Sequence, residues 1–457
     1  MGLFNKLGQR KEYLGGVKHC TFNPDGPGVV RIHLIPPKFR LFGNPDHIVI
    51  LNGYYLLPLG YSWAVILSAF MSEVNTFDSR EISDSDYEKI VKNTVAKVCR
   101  VYPMIPKQDI REDLFGMLDI LFAVARGEDP KVDIGKLSIR KYAKNMTAPH
   151  RVDVMVSAMT DGEGKWKCNQ KCLFCYAAGE DMAKSRELTT EEWLEAIEKL
   201  KKAGVAMITF TGGEPTLRPD LCQLIDSSKW FVTRLNTNGV LLTKELCDKL
   251  RRASLDSVQI TLYSHREDIH NALVGSEHFA DTVNGIKNAV AAGLDVSINT
   301  PLCQKNADYP DTLAFIKSLG VRFVTVSGLI CTGTAQVNHN DYDLAQDQLF
   351  DVIKQAKAFC VENDMEIDFT SPGLIPQELL ESIDMNVPAC GACLSNMAIA
   401  PDGQVIPCQS WLGSGSGLGN ILTDKWERIW NAPACIKLRA MTDEQALACP
   451  FREEGRK

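Results

Sequence analysis

The middle of the chain alternates short apolar runs with longer segments in which apolar residues recur at helical spacing. The runs are rich in β-branched residues and lack the polar alternation of a strand with one wet face, so they are typical of strands covered on both faces. Strands are therefore predicted at 151–158, 205–211, 231–236, 257–263, 295–301 and 322–329.

The segments between these strands carry helix end signals. The clearest, over 190–203, begins at Thr189 and Thr190 with acidic residues behind them, and ends at Gly204. Hydroxyl side chains cap helix N termini, and glycine suits the left-handed residue after a helix. Six strand–helix units predict an α/β fold with a parallel sheet, either doubly wound or an incomplete barrel. Ligands are expected at the carboxyl ends of the strands.

The flanks of the chain differ from its middle. Before residue 148, short strand patterns at 29–34 and 47–51 precede three helical patterns, which predicts a small α+β domain of winged-helix-like order. After residue 380 the chain is rich in glycine, proline and cysteine and has too few periodic apolar residues for a core of its own. Three domains are expected, at 1–148, 149–380 and 381–457.

Composition narrows the class of protein. The chain of 457 residues is 45% hydrophobic and 23% charged, as soluble globular proteins are. A formal charge of −7 argues against a broad nucleic-acid or anionic-membrane surface. Without a run of 18 apolar residues or the apolar core of a secretory signal, neither a membrane span nor secretion is expected. The predicted location is the cytoplasm.

Fifteen cysteines are many for a cytoplasmic chain, and in a reducing compartment they indicate metal binding rather than disulfides. Three lie close together at 168–175, and five lie in the C-terminal segment, at Cys390, Cys393, Cys408, Cys435 and Cys449. The remaining cysteines are scattered, and we expect them to be small buried apolar residues.

Cys168, Cys172 and Cys175 share one loop after the first strand of the middle section. Iron–sulfur cubanes are normally held by four thiolates, so three ligands leave one iron open. A zinc ion is the alternative, but it needs a fourth protein ligand and no His or Cys follows nearby. The C-x3-C-x2-C spacing, with Phe174 before the third cysteine, resembles the signature of the radical S-adenosylmethionine (SAM) superfamily. This resemblance implies a catalytic [4Fe–4S] cluster on a partial (β/α)6 TIM-like barrel.

A second motif, Thr211-Gly212-Gly213-Glu214-Pro215, follows the next strand and is similar to the GGEP motif of that superfamily. Glycines allow backbone amides to approach a ligand closely. A simple glycine-rich turn is the alternative, and ordinary turn chemistry also explains the weaker matches at later strand ends. The resemblance implies SAM contacts from Phe174, Gly212, Gly213, Glu214, Asn238 and Ser264.

The resemblance implies that the reduced cluster cleaves SAM to a 5′-deoxyadenosyl radical, which abstracts hydrogen from the substrate. It further implies an electron donor of the flavodoxin or ferredoxin type. Cys303 and Cys331 follow the fifth and sixth strands and are candidate hydrogen-atom donors, although simple burial is the explanation we favour for each.

The C-terminal cysteines resemble the auxiliary-cluster extension of this superfamily, the SPASM and twitch domains. The C-x9-G-x4-C interval from Cys393 through Gly403 to Cys408 fits that pattern. The resemblance implies one auxiliary [4Fe–4S] cluster on Cys390, Cys393, Cys408 and Cys449, with Cys435 as the alternative fourth ligand. A structural zinc site from the same sulfurs is the alternative to a cluster.

Enzymes with this extension often act on ribosomally made peptides, and some bind a leader peptide as an added strand on a small fused domain. Residues 40–128 resemble that domain loosely. We therefore expect a radical SAM oxidoreductase or lyase that installs a crosslink or thioether in a peptide, or epimerises it. The alternatives are a radical SAM enzyme acting on a small molecule, such as a cofactor or tetrapyrrole precursor, and a non-catalytic metal-binding scaffold.

Overall fold

The computed structural model describes residues 15–22, 29–37, 47–77, 82–135, 137–143, 146–161, 163–178 and 186–450. Its first unit consists of residues 1–148 together with 200–206 and 230–232, and its second unit consists of the rest of the chain. The predicted division into domains at 148 and 380 remains a prediction.

The sheet of the first unit is antiparallel and follows chain order, with strands β1 (Lys18–Phe22), β2 (Val30–Ile35), β3 (His47–Leu51) and β4 (Tyr55–Leu59). Its helices are Tyr61–Val74, Asp84–Val101, Lys107–Ala125 and the short Ile139–Tyr142. The sequence did not predict β1 or β4. Pro58 lies in β4 and cannot donate to a ladder, which an edge strand tolerates and a sequence pattern does not reveal.

The core of the first unit forms between this sheet and the first three helices. In the helix Tyr61–Val74, apolar residues around most of the circumference are buried, as expected of an element packed on more than one side. Its one buried carboxylate, Glu73, is paired with Lys97 and accepts a hydrogen bond from Asn93 at 2.9 Å. These partners offset the cost of burying the charge.

The second unit is built on one ten-stranded sheet in the order β11-β10-β9-β8-β7-β6-β5-β12-β13-β14. All six strands predicted in the middle section are present, and the α/β class with a largely parallel sheet is confirmed. Their bounds are β5 Arg151–Ser157, β6 Met207–Gly212, β7 Val232–Thr237, β8 Ser257–Thr261, β9 Asp295–Pro301 and β10 Phe323–Ser327.

Four further strands extend this sheet at its two ends. Beyond β10 lies the parallel strand β11 (Glu366–Phe369), which the sequence did not reveal because four residues are too few to establish a pattern. Beyond β5 lie β12 (Asn396–Ile399), β13 (Gln404–Ile406) and β14 (Gly419–Asn420). Since β12 pairs in parallel with β5, the C-terminal segment continues the barrel sheet.

Helices connect the parallel strands and continue into the C-terminal segment. Those of the barrel are Thr190–Ala203, Leu221–Asp226, Lys244–Arg252, Glu267–Val274, Phe279–Ala291, Tyr309–Ser318, Ala335–Asn338, Gln346–Glu362 and Gln377–Glu381. The C-terminal helices are Trp426–Trp430, Pro433–Arg439 and Asp443–Ala446. Within the described ranges, none of the helices is long and apolar enough to cross a bilayer.

Candidate active site

The three clustered cysteines lie in the loop that follows β5, and the backbone of this loop is anchored on the next layer of the fold. The amides of Lys171 and Leu173 donate to carbonyls of the helix Glu267–Val274, at 2.9 and 3.0 Å. The indole of Trp166 donates to Gln170 O at 2.9 Å and closes the loop on itself. The loop therefore has a fixed course.

A second anchor, which the sequence did not reveal, comes from the segment after β10. The Thr334 hydroxyl accepts from the amide of Cys175 at 3.1 Å and donates to the carbonyl of Cys172 at 3.1 Å. Gly333 precedes it with a φ of +59°, and a Cβ there would lie 2.2 Å from the Cys175 carbonyl oxygen. Only glycine permits this approach, so the close packing is built into the sequence.

The three cysteines of this loop are partly buried. Burial, followed by the nearby charges of Glu214 and Cys175, raises the pKa of Cys168 to about 12. Burial also raises the pKa of Cys172 and of Cys175. Thiolates at such positions need a cationic partner, and a metal centre that binds them displaces their protons.

The distances between the sulfurs of Cys168, Cys172 and Cys175 bear on whether these residues bind a cluster or a single ion. Four ligands around one Zn²⁺ lie roughly 3–4 Å apart, given zinc–ligand bonds of about 2.0–2.3 Å. In the described part of the chain, two groups of metal-binding side chains have all their ligand atoms within 4.8 Å of one another, and neither contains Cys168, Cys172 or Cys175. The three cysteine sulfurs are thus spread more widely than the ligand atoms of either group.

Glu214 lies at the end of β6 and is buried among donors. Its carboxylate accepts hydrogen bonds from the Thr237 hydroxyl at 2.7 Å and from the amides of Asn238 and Thr216 at 2.8 and 2.9 Å. Burial raises the pKa of Glu214 above its ordinary value, although these bonds oppose that shift. These donors hold the Glu214 carboxylate in one orientation, and its contact with SAM remains a prediction.

The two glycines before Glu214 make room for this geometry. Gly212 has a φ of +138°, and a Cβ on it would lie 2.4 Å from the Ser157 carbonyl oxygen. A Cβ on Gly213 would lie 2.9 Å from the carbonyl oxygen of Ala158. The motif therefore packs directly against the backbone at the end of β5, and only glycine permits this close approach.

Asn238, Ser264 and Phe174, the other residues predicted to contact SAM, have protein neighbours in the structure. The Asn238 side chain donates to Asn169 Oδ1 at 2.6 Å, so it lies next to the cysteine loop. Ser264 is buried and its hydroxyl accepts from the Arg266 amide at 3.1 Å. The Phe174 ring packs on Tyr342, with ring centroids 5.3 Å apart. Their contacts with SAM remain predictions.

Buried polar atoms that lack a hydrogen-bond partner indicate where a polar ligand can bind. Among the described residues, Asn169 Nδ2, Ser157 Oγ and Asn236 Oδ1 are buried and have no hydrogen-bond partner. All three residues lie at the end of a parallel strand or in the cysteine loop. Because buried polar groups are ordinarily satisfied, these atoms fit a polar ligand such as SAM. Sequence reasoning missed Asn169, whose only signal was its place directly after Cys168.

The C-terminal cysteines converge around the end of the chain. The Cys390 amide donates to Ala446 O at 2.7 Å, which brings Cys449 close to Cys390. Contact with Cys449, then burial, raises the pKa of Cys390, and burial raises the pKa of Cys408 to about 12. Cys393 has a φ of +58°, a strained value for a residue with a side chain and one that occurs at functional sites.

Cys435 is also part of this group, beside Cys393. The Arg439 guanidinium donates to Cys435 Sγ at 2.8 Å and stacks over the Trp430 ring at 3.7 Å. Contact with Cys393, together with Arg439, lowers the pKa of Cys435 and favours its thiolate. The choice between Cys435 and Cys449 as fourth ligand stays a prediction, since the structure brings both to the group.

The two candidate hydrogen-atom donors differ in exposure. Cys303 is fully buried in an apolar cluster that includes Phe174 and Tyr263. Cys331 is exposed after the end of β10. Burial therefore suffices to explain Cys303 but not Cys331.

Comparison with known proteins agrees with this geometry. The model of the radical SAM superfamily matches residues 167–316, and the model of the SPASM iron–sulfur cluster-binding domain matches residues 390–450. The PqqA peptide cyclase of Gluconobacter oxydans is 24% identical over 306 residues, 63% of this chain and 81% of that protein. The probable GTP 3′,8-cyclase of Saccharolobus solfataricus is 31% identical over 183 residues, 38% of this chain and 58% of that protein.

A solved structure has a similar fold. SuiB of Streptococcus suis, bound to its precursor peptide SuiA, superposes with a TM-score of 0.58 at 16% identity, over 87% of this chain and 88% of that chain. At this identity the similarity concerns the fold alone. The two family models imply a catalytic [4Fe–4S] cluster with SAM and an auxiliary iron–sulfur cluster. The chain is an enzyme of the radical SAM type, with a radical SAM domain at residues 167–316 and a SPASM iron–sulfur cluster-binding domain at residues 390–450.

Proposed function

We propose that this enzyme modifies a ribosomally made peptide, forming a crosslink or thioether or inverting a stereocentre. The observation that carries the proposal is the N-terminal unit, a four-stranded antiparallel sheet packed on three helices and set before a radical SAM barrel. The similarity to a peptide cyclase over 81% of its length, and to a precursor-bound SuiB fold, supports the same conclusion.

In this proposal, Cys168, Cys172 and Cys175 would hold the catalytic cluster, and the unpartnered polar atoms of Asn169, Ser157 and Asn236 would bind SAM. Glu214 binds the methionine ammonium, while Gly212 and Gly213 let the backbone approach it. When bound, the reduced cluster and SAM together supply radical hydrogen abstraction from an unreactive carbon. The protein would orient the reactants and limit the access of water, which the partly buried cysteines and the buried Glu214 carboxylate favour.

The auxiliary cluster is assigned to Cys390, Cys393, Cys408 and Cys449. Cys435, with Arg439 donating to its sulfur, is then a neighbour of the ligand Cys393 rather than a ligand itself. We therefore assign Arg439 to holding Cys435 as a thiolate beside Cys393. A flavodoxin or ferredoxin is the proposed electron donor, and the cytoplasm is the proposed location.

A cavity in the N-terminal unit is the proposed contact for the peptide. It has a volume of about 400 Å³ and lies between Tyr55 on β4 and the end of the helix Lys107–Ala125. Val132 lines it with half of its surface exposed. Exposed apolar surface beside a cavity on an edge strand fits an extended peptide with an apolar anchor residue.

A second function keeps one specific observation in its favour. The relative with the higher identity, 31%, is a probable GTP 3′,8-cyclase, so a small nucleotide is the competing substrate. That similarity covers only 38% of this chain. The N-terminal unit, by contrast, has no role in the small-molecule hypothesis.

The test incubates the reconstituted, reduced enzyme and SAM with candidate precursor peptides from any short reading frames found near the gene, and separately with GTP. Peptide modification predicts 5′-deoxyadenosine with a peptide mass lowered by about two hydrogens, or deuterium uptake from D2O for epimerisation. Conversion of GTP with an unchanged peptide would refute the proposal. The Val132→Asp variant should weaken peptide binding at least tenfold, whereas Val361→Asp, on the exposed face of the helix Gln346–Glu362, should not.

A further inference from the structure

A set of side chains outside both cluster sites has the chemistry of a metal site. Cys331, His339 and Asp343 bring a thiol sulfur, an imidazole nitrogen and a carboxylate oxygen within 4.8 Å of one another. His339 Nδ1 lies 2.9 Å from Asp343 Oδ2, four residues further along the chain. Thiolate, imidazole and carboxylate are the side-chain ligands that zinc takes in proteins.

The spacing of these atoms matches one ion. Ligands at about 2.0–2.3 Å from Zn²⁺ lie roughly 3–4 Å from one another, so small side-chain movements complete the site. The other compact set in the described chain is His265, Asp308 and Asp311. That set lacks a thiol, and Arg266 lies 3.9 Å from Asp308 as its counter-charge. The set with Cys331 is therefore the stronger candidate.

The site is open to solvent. Cys331 is exposed, and the side chains of His339 and Asp343 keep 25% and 43% of their surface accessible. An ion can enter without unfolding the segment, and a water molecule can complete a tetrahedral set of four.

Residues between Cys331 and His339 make hydrogen bonds to the backbone of the catalytic cysteine loop. Thr334 bonds to the backbone of Cys172 and Cys175, and the Asn338 amide donates to Leu173 O at 2.9 Å. An ion bound by Cys331 before this stretch and by His339 and Asp343 after it would close the stretch into a ring. Such closure lowers the conformational freedom of the enclosed chain.

We propose that Cys331, His339 and Asp343 bind one divalent transition-metal ion of the zinc class, separate from both iron–sulfur clusters. The ion fixes the segment 331–343 against the cysteine loop. In this role Cys331 is a metal ligand, which excludes it as the hydrogen-atom donor for a substrate radical.

Co²⁺ is the probe, because high-spin cobalt gives an EPR signal while oxidised [4Fe–4S] clusters are diamagnetic. Fully reconstituted protein is treated with a chelator, oxidised, and titrated with Co²⁺ while iron is counted in parallel. The expected result is about one cobalt per chain, with a thiolate-to-cobalt absorption band and unchanged iron. Cys331→Ser and His339→Ala should lose the cobalt and keep the iron.

Cys222→Ser is the matched control, since Cys222 is also a partly accessible cysteine and lies in the distant helix Leu221–Asp226. This variant should bind cobalt like the parent. Equal cobalt in Cys331→Ser and the parent would overturn the proposal, as would a parent that binds none. Loss of iron in Cys331→Ser would overturn it too, because Cys331 would then belong to a cluster.

Hydrogen exchange supplies a readout of the structural effect. With Zn²⁺ added to the parent, amides in 331–343 and in the cysteine loop should exchange at least tenfold more slowly. His339→Ala should show no such difference with and without Zn²⁺. If these amides exchange equally slowly in the parent and in His339→Ala with Zn²⁺ present, the ion does not fix the segment 331–343.

Discussion

The backbone amide of Asn238 donates a hydrogen bond to the carboxylate of Glu214 at 2.8 Å, which joins the end of β7 to the end of β6. The Asn238 side chain in turn bonds to Asn169 in the cysteine loop. Three motifs that are far apart in sequence thus meet in one hydrogen-bonded group. Changing the acceptor at its centre should affect the whole site.

Glu214→Gln tests this directly. The glutamine amide has the same shape but lacks the charge, and one of its two ends presents donors to the N–H and O–H groups that now donate to Glu214. We expect SAM affinity to fall at least tenfold, or about 1.4 kcal/mol. Equilibrium dialysis of SAM against reconstituted protein measures it.

The matched control is Glu245→Gln, an exposed helical glutamate paired with Lys249. Its SAM affinity should equal that of the parent. Unchanged affinity in Glu214→Gln would show that the buried carboxylate does not bind the methionine ammonium.

The glycines of the second motif should tolerate alanine in a graded way. Gly212→Ala places a Cβ 2.4 Å from a backbone oxygen at a φ of +138°, and we expect destabilisation of at least about 2 kcal/mol. Gly213→Ala, with its nearest atom at 2.9 Å, should cost less. Gly116→Ala, in the helix Lys107–Ala125 with nothing within 4 Å, should stabilise by up to about 1 kcal/mol.

Urea unfolding followed by fluorescence gives these three differences. We predict that Gly116→Ala is the most stable variant, Gly213→Ala the next and Gly212→Ala the least stable. A Gly212→Ala variant as stable as the parent would contradict the close approach of the motif to Ser157.

The fourth auxiliary ligand is decided by two cysteine variants. Cys449→Ser should lose the auxiliary iron, whereas Cys435→Ser should keep it, because Cys435 is already neutralised by Arg439. Iron and sulfide analysis of each variant provides the answer. The reverse pattern would assign the cluster to Cys435 and leave Cys449 as its neighbour.

Acid should weaken the ion pair between Arg218 and Asp220, which follows the glycine motif in the chain. Burial raises the pKa of Asp220, but hydrogen bonds from Arg218 and Thr190 outweigh this effect and hold the pKa below its ordinary value. A lowered folded-state pKa means that this stabilisation is present above the unfolded pKa and is lost as the pH falls through the folded one. Asp220→Asn should therefore be less stable than the parent above about pH 4, and the difference should shrink below it.

Thermal unfolding of the cluster-free proteins between neutral pH and pH 3 compares the two. A difference that stays constant down to the lowest pH would show that Asp220 stabilises through packing alone.

The sequence could predict the features whose signals are local. The six barrel strands, the cysteine spacing and the glycines before Glu214 are each contained in a few consecutive residues. The roles of Thr334 and Asn338 could not be predicted, because their partners lie about 160 residues earlier and only the barrel brings them together. The pairing of β12 with β5 was hidden for the same reason.

The position of Arg439 shows a different limit. A basic residue near a helix end is common, so nothing in the sequence set Arg439 apart from other C-terminal arginines. Its relation to Cys435 depends on the helix Pro433–Arg439, which places the two one turn apart, and on Trp430, which orients the guanidinium.

The most direct test of the account is an anaerobic comparison of the parent with the Cys168/Cys172/Cys175→Ala variant, measuring iron, sulfide and 5′-deoxyadenosine after reduction with SAM. The account predicts about eight iron and SAM cleavage in the parent, against about four iron and no cleavage in the variant. A variant that keeps about eight iron, or that still cleaves SAM, would contradict the assignment of these three cysteines to the catalytic cluster.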